Sequence, residues 1–277
     1  MPTPSPRILV RAPQADAVTA WRQYGWRAAP DPAALDREHE AFCRVLEESG
    51  ATVTVGRTPV PGDPDAIYVR DPVLIAPGGV IALRPGKEGR REEPAAVSAD
   101  IARLGVPSLS VMPPPATAEG GDMFFLDAAT LLVGRSYRTN DEGVRFLAAT
   151  LPGVELIAFD LPHLEGADEV LHLMSLISPV DVDLAVVYPP LMPVRCMQLL
   201  ARRGVRLVEV PPEEFATMGP NVLAVGPRVA VVREGSPVTR RRLEAAGVEV
   251  RAYVGEDLSG KGDGGPTCLT LPLDPLA

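Results

Sequence analysis

At 277 residues the chain can bury a full core, in one large domain or two small ones. A net charge of −9 argues against nucleic acid or an anionic membrane as the main partner, because phosphate binding needs concentrated Lys and Arg. Hydrophobic residues at 46%, with charges interspersed, exclude a disordered or fibrous chain, and three scattered cysteines fit neither a disulfide framework nor a zinc pattern. No stretch reaches the roughly 20 apolar residues that span a bilayer, and MPTPSPRILVRAP lacks the apolar core of a signal peptide. A cytoplasmic protein is therefore expected.

In chain order, ILVRAP (8–13) reads as a first strand. The segment 14–31 follows; it holds both tryptophans and is a candidate lid, with plain packing the alternative. An amphipathic helix then runs into CRVLEESGATVTV (43–55), where Gly ends the helix and alternating apolar residues start a strand. The same helix–Gly–strand theme recurs as DIARLGVPSLSV (100–111), FLAATLPGVELIAF (146–159), LLARRGVRLVEV (199–210) and RLEAAGVEVRAY (242–253). A repeat of about fifty residues is the signature of a modular architecture.

Between the copies lie apolar runs broken by turn residues. They are AIYVRDPVLIAPGGVIAL (66–83), GGDMFFLDAATLLVG (120–134), HLMSLISPVDVDLAVV (172–187) and NVLAVGPRVAVV (221–232), each read as a hairpin. The unit is therefore two strands, a helix and a third strand. The first unit lacks half its hairpin, and the closing segment TCLTLPL (267–273) can supply the missing strand and close a ring. Five units around a pseudo-fivefold axis make an α/β propeller of ββαβ blades, expected as a single domain over 1–277. A doubly wound parallel sheet is the alternative, and the hairpins before each helix argue against it.

Three histidines leave few candidates for a general base. His39, in ALDREHEAFCRVL, is expected on a solvated helix face. His163 lies in a loop, and His172 opens an apolar run where a satisfied core histidine is the ordinary reading. Cys43 and Cys196 fall at apolar helical positions and read as small core residues. Cys268 differs, because it follows the Gly-rich loop GEDLSGKGDGGP, where backbone can approach another molecule closely. YVRDP (68–72), EGGD (119–122) and GRSYRTN (134–140) set charges against apolar strands; internal salt bridges are the bland explanation and a binding site the sharp one.

The ordered set RDP, RPG…RR, EGGD, RTN, HLMS and GGPTC resembles the guanidino-group modifying (pentein) superfamily of dimethylarginine dimethylaminohydrolases, arginine deiminases and amidinotransferases. The resemblance runs from about residue 62 to the C-terminus and implies the five-bladed ββαβ fold. It also implies Cys268 as nucleophile and His172 as general acid/base, with Asp71 and Glu119 as carboxylates gripping a guanidinium. Asp65 and Asp263 match positions near the substrate's amine or guanidine, and Arg138 and Arg90 would bind its carboxylate. It further implies a small-molecule guanidino substrate and no metal or organic cofactor, with homodimerisation left open.

Two positions depart from the subfamilies. Arg70 stands where many dimethylarginine hydrolases carry Glu, and Met174 stands where arginine deiminases place a second guanidinium-binding Asp. The reading is a cysteine hydrolase of dimethylargininase type, with arginine deiminase-like, citrulline-acting and amidinotransferase chemistry as alternatives. A non-catalytic binding protein of the same fold is argued against by retention of Cys268, His172, Asp71 and Glu119 together.

Overall fold

The computed structural model describes residues 5–167, 169 and 171–274. β1 (Arg7–Arg11), α1 (Pro32–Glu48) and β2 (Thr52–Gly56) form the first βαβ unit, with β1 and β2 parallel. Asp31 caps α1 by accepting from the amides of Ala33 and Ala34, and Pro32 enters at the first turn, where its missing N–H costs nothing.

Four complete ββαβ units follow. They are β3 (Val73–Ala76), β4 (Gly79–Ala82), α2 (Glu93–Ala102) and β5 (Ser108–Val111); then β6 (Met123–Asp127), β7 (Thr130–Arg135), α3 (Asp141–Thr150) and β8 (Glu155–Asp160). Next come β9 (Ile177–Asp181), β10 (Leu184–Val187), α4 (Val194–Arg202) and β11 (Arg206–Glu209), and finally β12 (Leu223–Gly226), β13 (Val229–Arg233), α5 (Pro237–Ala245) and β14 (Glu249–Tyr253). In each unit the hairpin is antiparallel and the post-helix strand is parallel to its middle strand. That pattern rules out a doubly wound parallel sheet.

The closing strand is shorter than expected. Only β15 (Leu271–Pro272) pairs with β1, antiparallel, and residues 266–269 turn instead. The turn is what presents Cys268. Gly50, Gly105, Gly204 and Gly247 end their helices at positive φ, as the repeat predicts; the helix before Gly153 stops differently, without a left-handed glycine.

Apolar packing closes the ring. Leu9, Val80 and Ile101 join the first and second sheets; Ile81, Leu131 and Leu147 the second and third. Leu132, Val187 and Leu200 join the third and fourth; Val186, Val208 and Ala230 the fourth and fifth. Ile8, Phe42 and Val231 then join the fifth back to the first. Each fully buried aliphatic side chain contributes about 1.5–3 kcal/mol, so five such seams outweigh any one loop in fixing the ring. Among the described residues, no helix is long and apolar enough to cross a membrane.

Two expectations about helix and loop residues change. His39 is buried rather than solvated, its ring 3.9 Å from the sulfur of Cys43 one turn on, because that face of α1 packs against the core. In the segment 14–31, Trp26 is 5% exposed and built into the core. Residues 22–25 and Arg27 nevertheless form one rim of a cavity, so this part of the segment borders an opening.

Candidate active site

Loops at one end of the blades surround a cavity of about 770 Å³ whose wall includes Cys268, His172, Asp71, Asp65, Arg138 and Lys87. Arg90 and Asp263 also reach it. The fold thus gathers residues from Arg22 to Cys268, nearly the whole length of the chain.

Cys268 sits in the turn after the Gly-rich loop, its amide donating to the carbonyl of Gly265 at 3.0 Å. Asn221, from the start of the fifth blade, organises this turn. Its Oδ1 accepts from the amide and hydroxyl of Thr267 at 3.0 and 2.8 Å, and its Nδ2 donates to the Cys268 sulfur at 3.5 Å. Arg70 pins the same turn from the other side, donating from its amide to the Cys268 carbonyl at 3.2 Å and from Nε to the Thr267 carbonyl at 3.1 Å. Burial lowers the Arg70 guanidinium to about 10, against the opposing pull of Cys268 and Asp71. Burial and the charge of Asp71 push the Cys268 thiol up, so the resting sulfur is protonated.

His172 is held from three directions. Its amide donates to Ser175 Oγ at 3.2 Å, the next amide donates to Asp122 Oδ1 at 3.1 Å, and Nε2 meets Glu119 Oε2 at 2.8 Å. Burial alone would lower the imidazole, but Asp71, Asp122 and Glu119 outweigh it and raise it to about 9. Nδ1 is 3.9 Å from Asp71 Oδ1. The resting pair is therefore a thiol and an imidazolium.

Glu119 is fully buried, and both oxygens are engaged. Oε1 accepts from the Gly86 amide at 3.0 Å and from Arg138 at 3.2 Å, and Oε2 from His172. Burial would raise its carboxyl, but the His172 hydrogen bond and the charges of His172 and Arg138 bring it below the usual range. Expected against the guanidinium, Glu119 is found in contact with His172 and Arg138, behind the residues that line the cavity.

Arg90, expected at the substrate carboxylate, reaches the cavity but is largely committed to partners within the protein. Nε and Nη2 bind Glu93 at 2.6 and 2.9 Å, Nη2 also donates to the Tyr68 carbonyl, and Nη1 binds Asp71 at 2.7 Å. Four bonds from five donors leave one N–H for any ligand. A guanidinium committed this way orients Asp71.

Glycine is required at Gly121. Its amide donates to Asp71 Oδ1 at 3.0 Å, and a Cβ there would fall 2.4 Å from His172 Nδ1 and 2.8 Å from Asp71 Oδ1. Gly121→Ala is expected to separate the two side chains and lower kcat/KM by about 10²-fold, the size of an ångström-scale misplacement. Steady-state kinetics beside a thermal melt check this; unchanged kinetics in a folded variant would contradict it.

The YRTN and EGGD motifs interlock. Arg138 binds Glu119, Thr139 Oγ1 accepts the Glu119 amide at 3.2 Å, and Asn140 caps α3 through the Gly143 amide at 2.8 Å. Asp263, at φ +63°, pairs with Arg27 at 2.8 Å in a half-exposed bridge at the cavity rim. Met174 packs in the apolar seam between the third and fourth blades and offers the cavity no polar atom. Asp71, Glu119 and His172 bring three ligand atoms within 4.8 Å, the spacing a metal would need. Asp71 is also paired with Arg90, and Glu119 with Arg138.

Sequence reasoning missed Asn221, Lys87 and Tyr68. Asn221 had no charge or motif to flag it, Lys87 was hidden inside RPG…RR, and Tyr68 read as a strand residue. His163 is exposed at the mouth, hydrogen-bonded to Tyr137 at 2.6 Å.

The family model described as N,N dimethylarginine dimethylhydrolase, eukaryotic, matches residues 31–234. The chain is 29% identical over 276 residues to the N(G),N(G)-dimethylarginine dimethylaminohydrolase of Streptomyces coelicolor, covering 99% of both. Among solved structures, a cysteine mutant of the dimethylarginine dimethylaminohydrolase of Pseudomonas aeruginosa complexed with citrulline superposes with a TM-score of 0.78 at 25% identity, covering 98% of this chain and 100% of that one. The N-terminal domain of ArgZ, a cyanobacterial arginine dihydrolase, shares the fold with a TM-score of 0.85 at 20% identity, each chain covered to 98%.

Proposed function

The chain belongs to the N,N-dimethylarginine dimethylhydrolase family and is a hydrolase of guanidino C–N bonds; on that premise we propose that Cys268 is its nucleophile, His172 its general acid/base and Asp71 its guanidinium anchor. One observation carries the reading: a cysteine, a histidine raised to about 9 and a buried carboxylate share one cavity wall. The whole chain, 1–277, acts in this reading as a single catalytic domain whose substrate is an N-substituted guanidine of methylated-arginine type.

The steps follow from charge. A guanidinium arriving beside Asp71 brings positive charge to a thiol that burial and Asp71 hold protonated, and so favours the thiolate, the thiol proton passing to solvent because His172 is already protonated. The sulfur attacks the central carbon to form a tetrahedral adduct. The substituted amine departs with its bonding electrons and takes the proton of His172, leaving an S-bound isothiouronium. Neutral His172 then accepts a proton from water as the water oxygen attacks the same carbon. The C–S bond breaks, the thiolate leaves, and a ureido product forms. Glu119 keeps His172 charged and aligned, and Arg138, which lines the cavity and has N–H groups beyond the one given to Glu119, receives a substrate carboxylate.

Met174 packs in an apolar seam at the position where the resemblance places a second guanidinium-binding Asp in arginine deiminases, and this favours a substituted guanidine over free arginine. The test is a product assay with arginine, monomethylarginine, asymmetric dimethylarginine and agmatine offered separately. Release of methylamine or dimethylamine with a ureido product is expected. Turnover of free arginine equal to that of the methylated forms would defeat the substituted-guanidine reading.

A further inference from the structure

Lys87 lines the same cavity, and no step above uses it. Its ammonium binds Asp65 Oδ2 at 2.7 Å, donates to the main-chain carbonyl of Tyr24 on the cavity rim, and lies 4.8 Å from the centroid of the Tyr24 ring. A carboxylate, a carbonyl and an aromatic face together form a receptor for an ammonium group. Asp65 is 6% exposed, and its other oxygen accepts the Trp26 indole at 2.7 Å. Arg90 Nε stands 3.8 Å from Oδ2. Both oxygens of this carboxylate are thus engaged by groups of the protein itself.

The consequence is electrostatic. A ligand ammonium approaching Asp65 would meet Lys87 and Arg90 in a part-buried setting, where like charges repel several-fold more strongly than in water. The other carboxylates at the cavity are poor replacements. Asp71 is taken by the guanidinium in the reading above, and Asp263 carries Arg27. Glu165 and Glu169 are exposed at the mouth, where water and salt screen them. Arg138, by contrast, spends one bond on Glu119 and keeps donors for an anion.

We propose that Lys87 supplies from the protein the ammonium that an α-amino acid would otherwise bring, so that the preferred substrate is an N-substituted guanidino carboxylic acid with no free α-ammonium. The proposal rests on the hydrolase reading above and names the distal end of its substrate. The chemistry is unchanged: water and the guanidine give an amine and a ureido acid.

The test compares kcat/KM for N-methylarginine with that for N-methyl-5-guanidinopentanoate, which differs only by the α-amino group. Wild type is expected to favour the des-amino acid by about tenfold or more, about 1.4 kcal/mol. In Lys87→Ala and Lys87→Met the preference is expected to shift toward N-methylarginine by at least about tenfold, because Asp65 and the Tyr24 carbonyl become free to hold its ammonium. The wild-type ratio is read without any variant, so misfolding of one substitution leaves the proposal testable. A wild-type ratio at or below one, or a ratio unmoved in both variants, overturns the role of Lys87 while leaving the hydrolase reading intact. Hydrolysis of neither compound, nor of any other guanidine, overturns both.

Discussion

Cys268→Ser is expected to lose at least about 10⁴-fold in turnover while still folding and binding ligand, since only binding and electrostatic help survive loss of a nucleophile. The substitution is small. A serine hydroxyl can keep the Asn221 contact and the Gly265 amide bond, so the turn that presents it should persist. What is lost is a nucleophile that guanidinium charge can ionise, because a hydroxyl is a far weaker acid than a thiol. Mass spectrometry of wild-type protein quenched during turnover should show an isothiouronium adduct on Cys268, absent from the variant. Turnover that survives the substitution would mean that another group attacks the carbon.

Glu119→Gln is expected to lower kcat by about 10²–10⁴-fold, the usual worth of a positioned acid/base. It is also expected to move the alkaline limb of the pH profile downward. The sign follows from which form Glu119 favours. His172 is raised to about 9 with Glu119 among the causes, so in wild type its proton, needed by the departing amine, is lost as pH rises through about 9. A neutral amide removes part of that support, and the limb moves toward the ordinary histidine range. The same linkage acts on stability. Burial of charged His172 beside these carboxylates stabilises the fold fully below the unfolded pKa near 6.5, and this contribution disappears as pH rises through about 9. Arg138 would also lose its carboxylate partner at 3.2 Å, so a weaker KM for acidic substrates should accompany the change. An unshifted limb with normal kcat would show that Glu119 does not govern His172.

Much of the architecture was legible from the chain alone, because each blade repeats one local code. Apolar alternation, a turn, a helix and a helix-ending glycine recur about every fifty residues, and each is decided by neighbours in sequence. Ring closure was legible for the same reason, as the first unit visibly lacked half a hairpin. That Cys268, His172 and Asp71 are the candidates was legible through motifs, and the structure brings the three to one cavity wall.

The partnerships were decided only by the tertiary structure. A carboxylate's role depends on what faces it, and sequence does not say that Arg90 turns to Glu93 and Asp71, or that Glu119 lies wholly behind His172. His39 looked solvated by composition, yet packing of α1 buried it. Asn221 and Lys87 lay in ordinary stretches and became site residues because folding brings position 221 to 268, and 87 to 65 and 24. The physical reason is range: backbone choices are set within a few residues, whereas charge pairing and burial are set by whichever segments the closed ring places side by side.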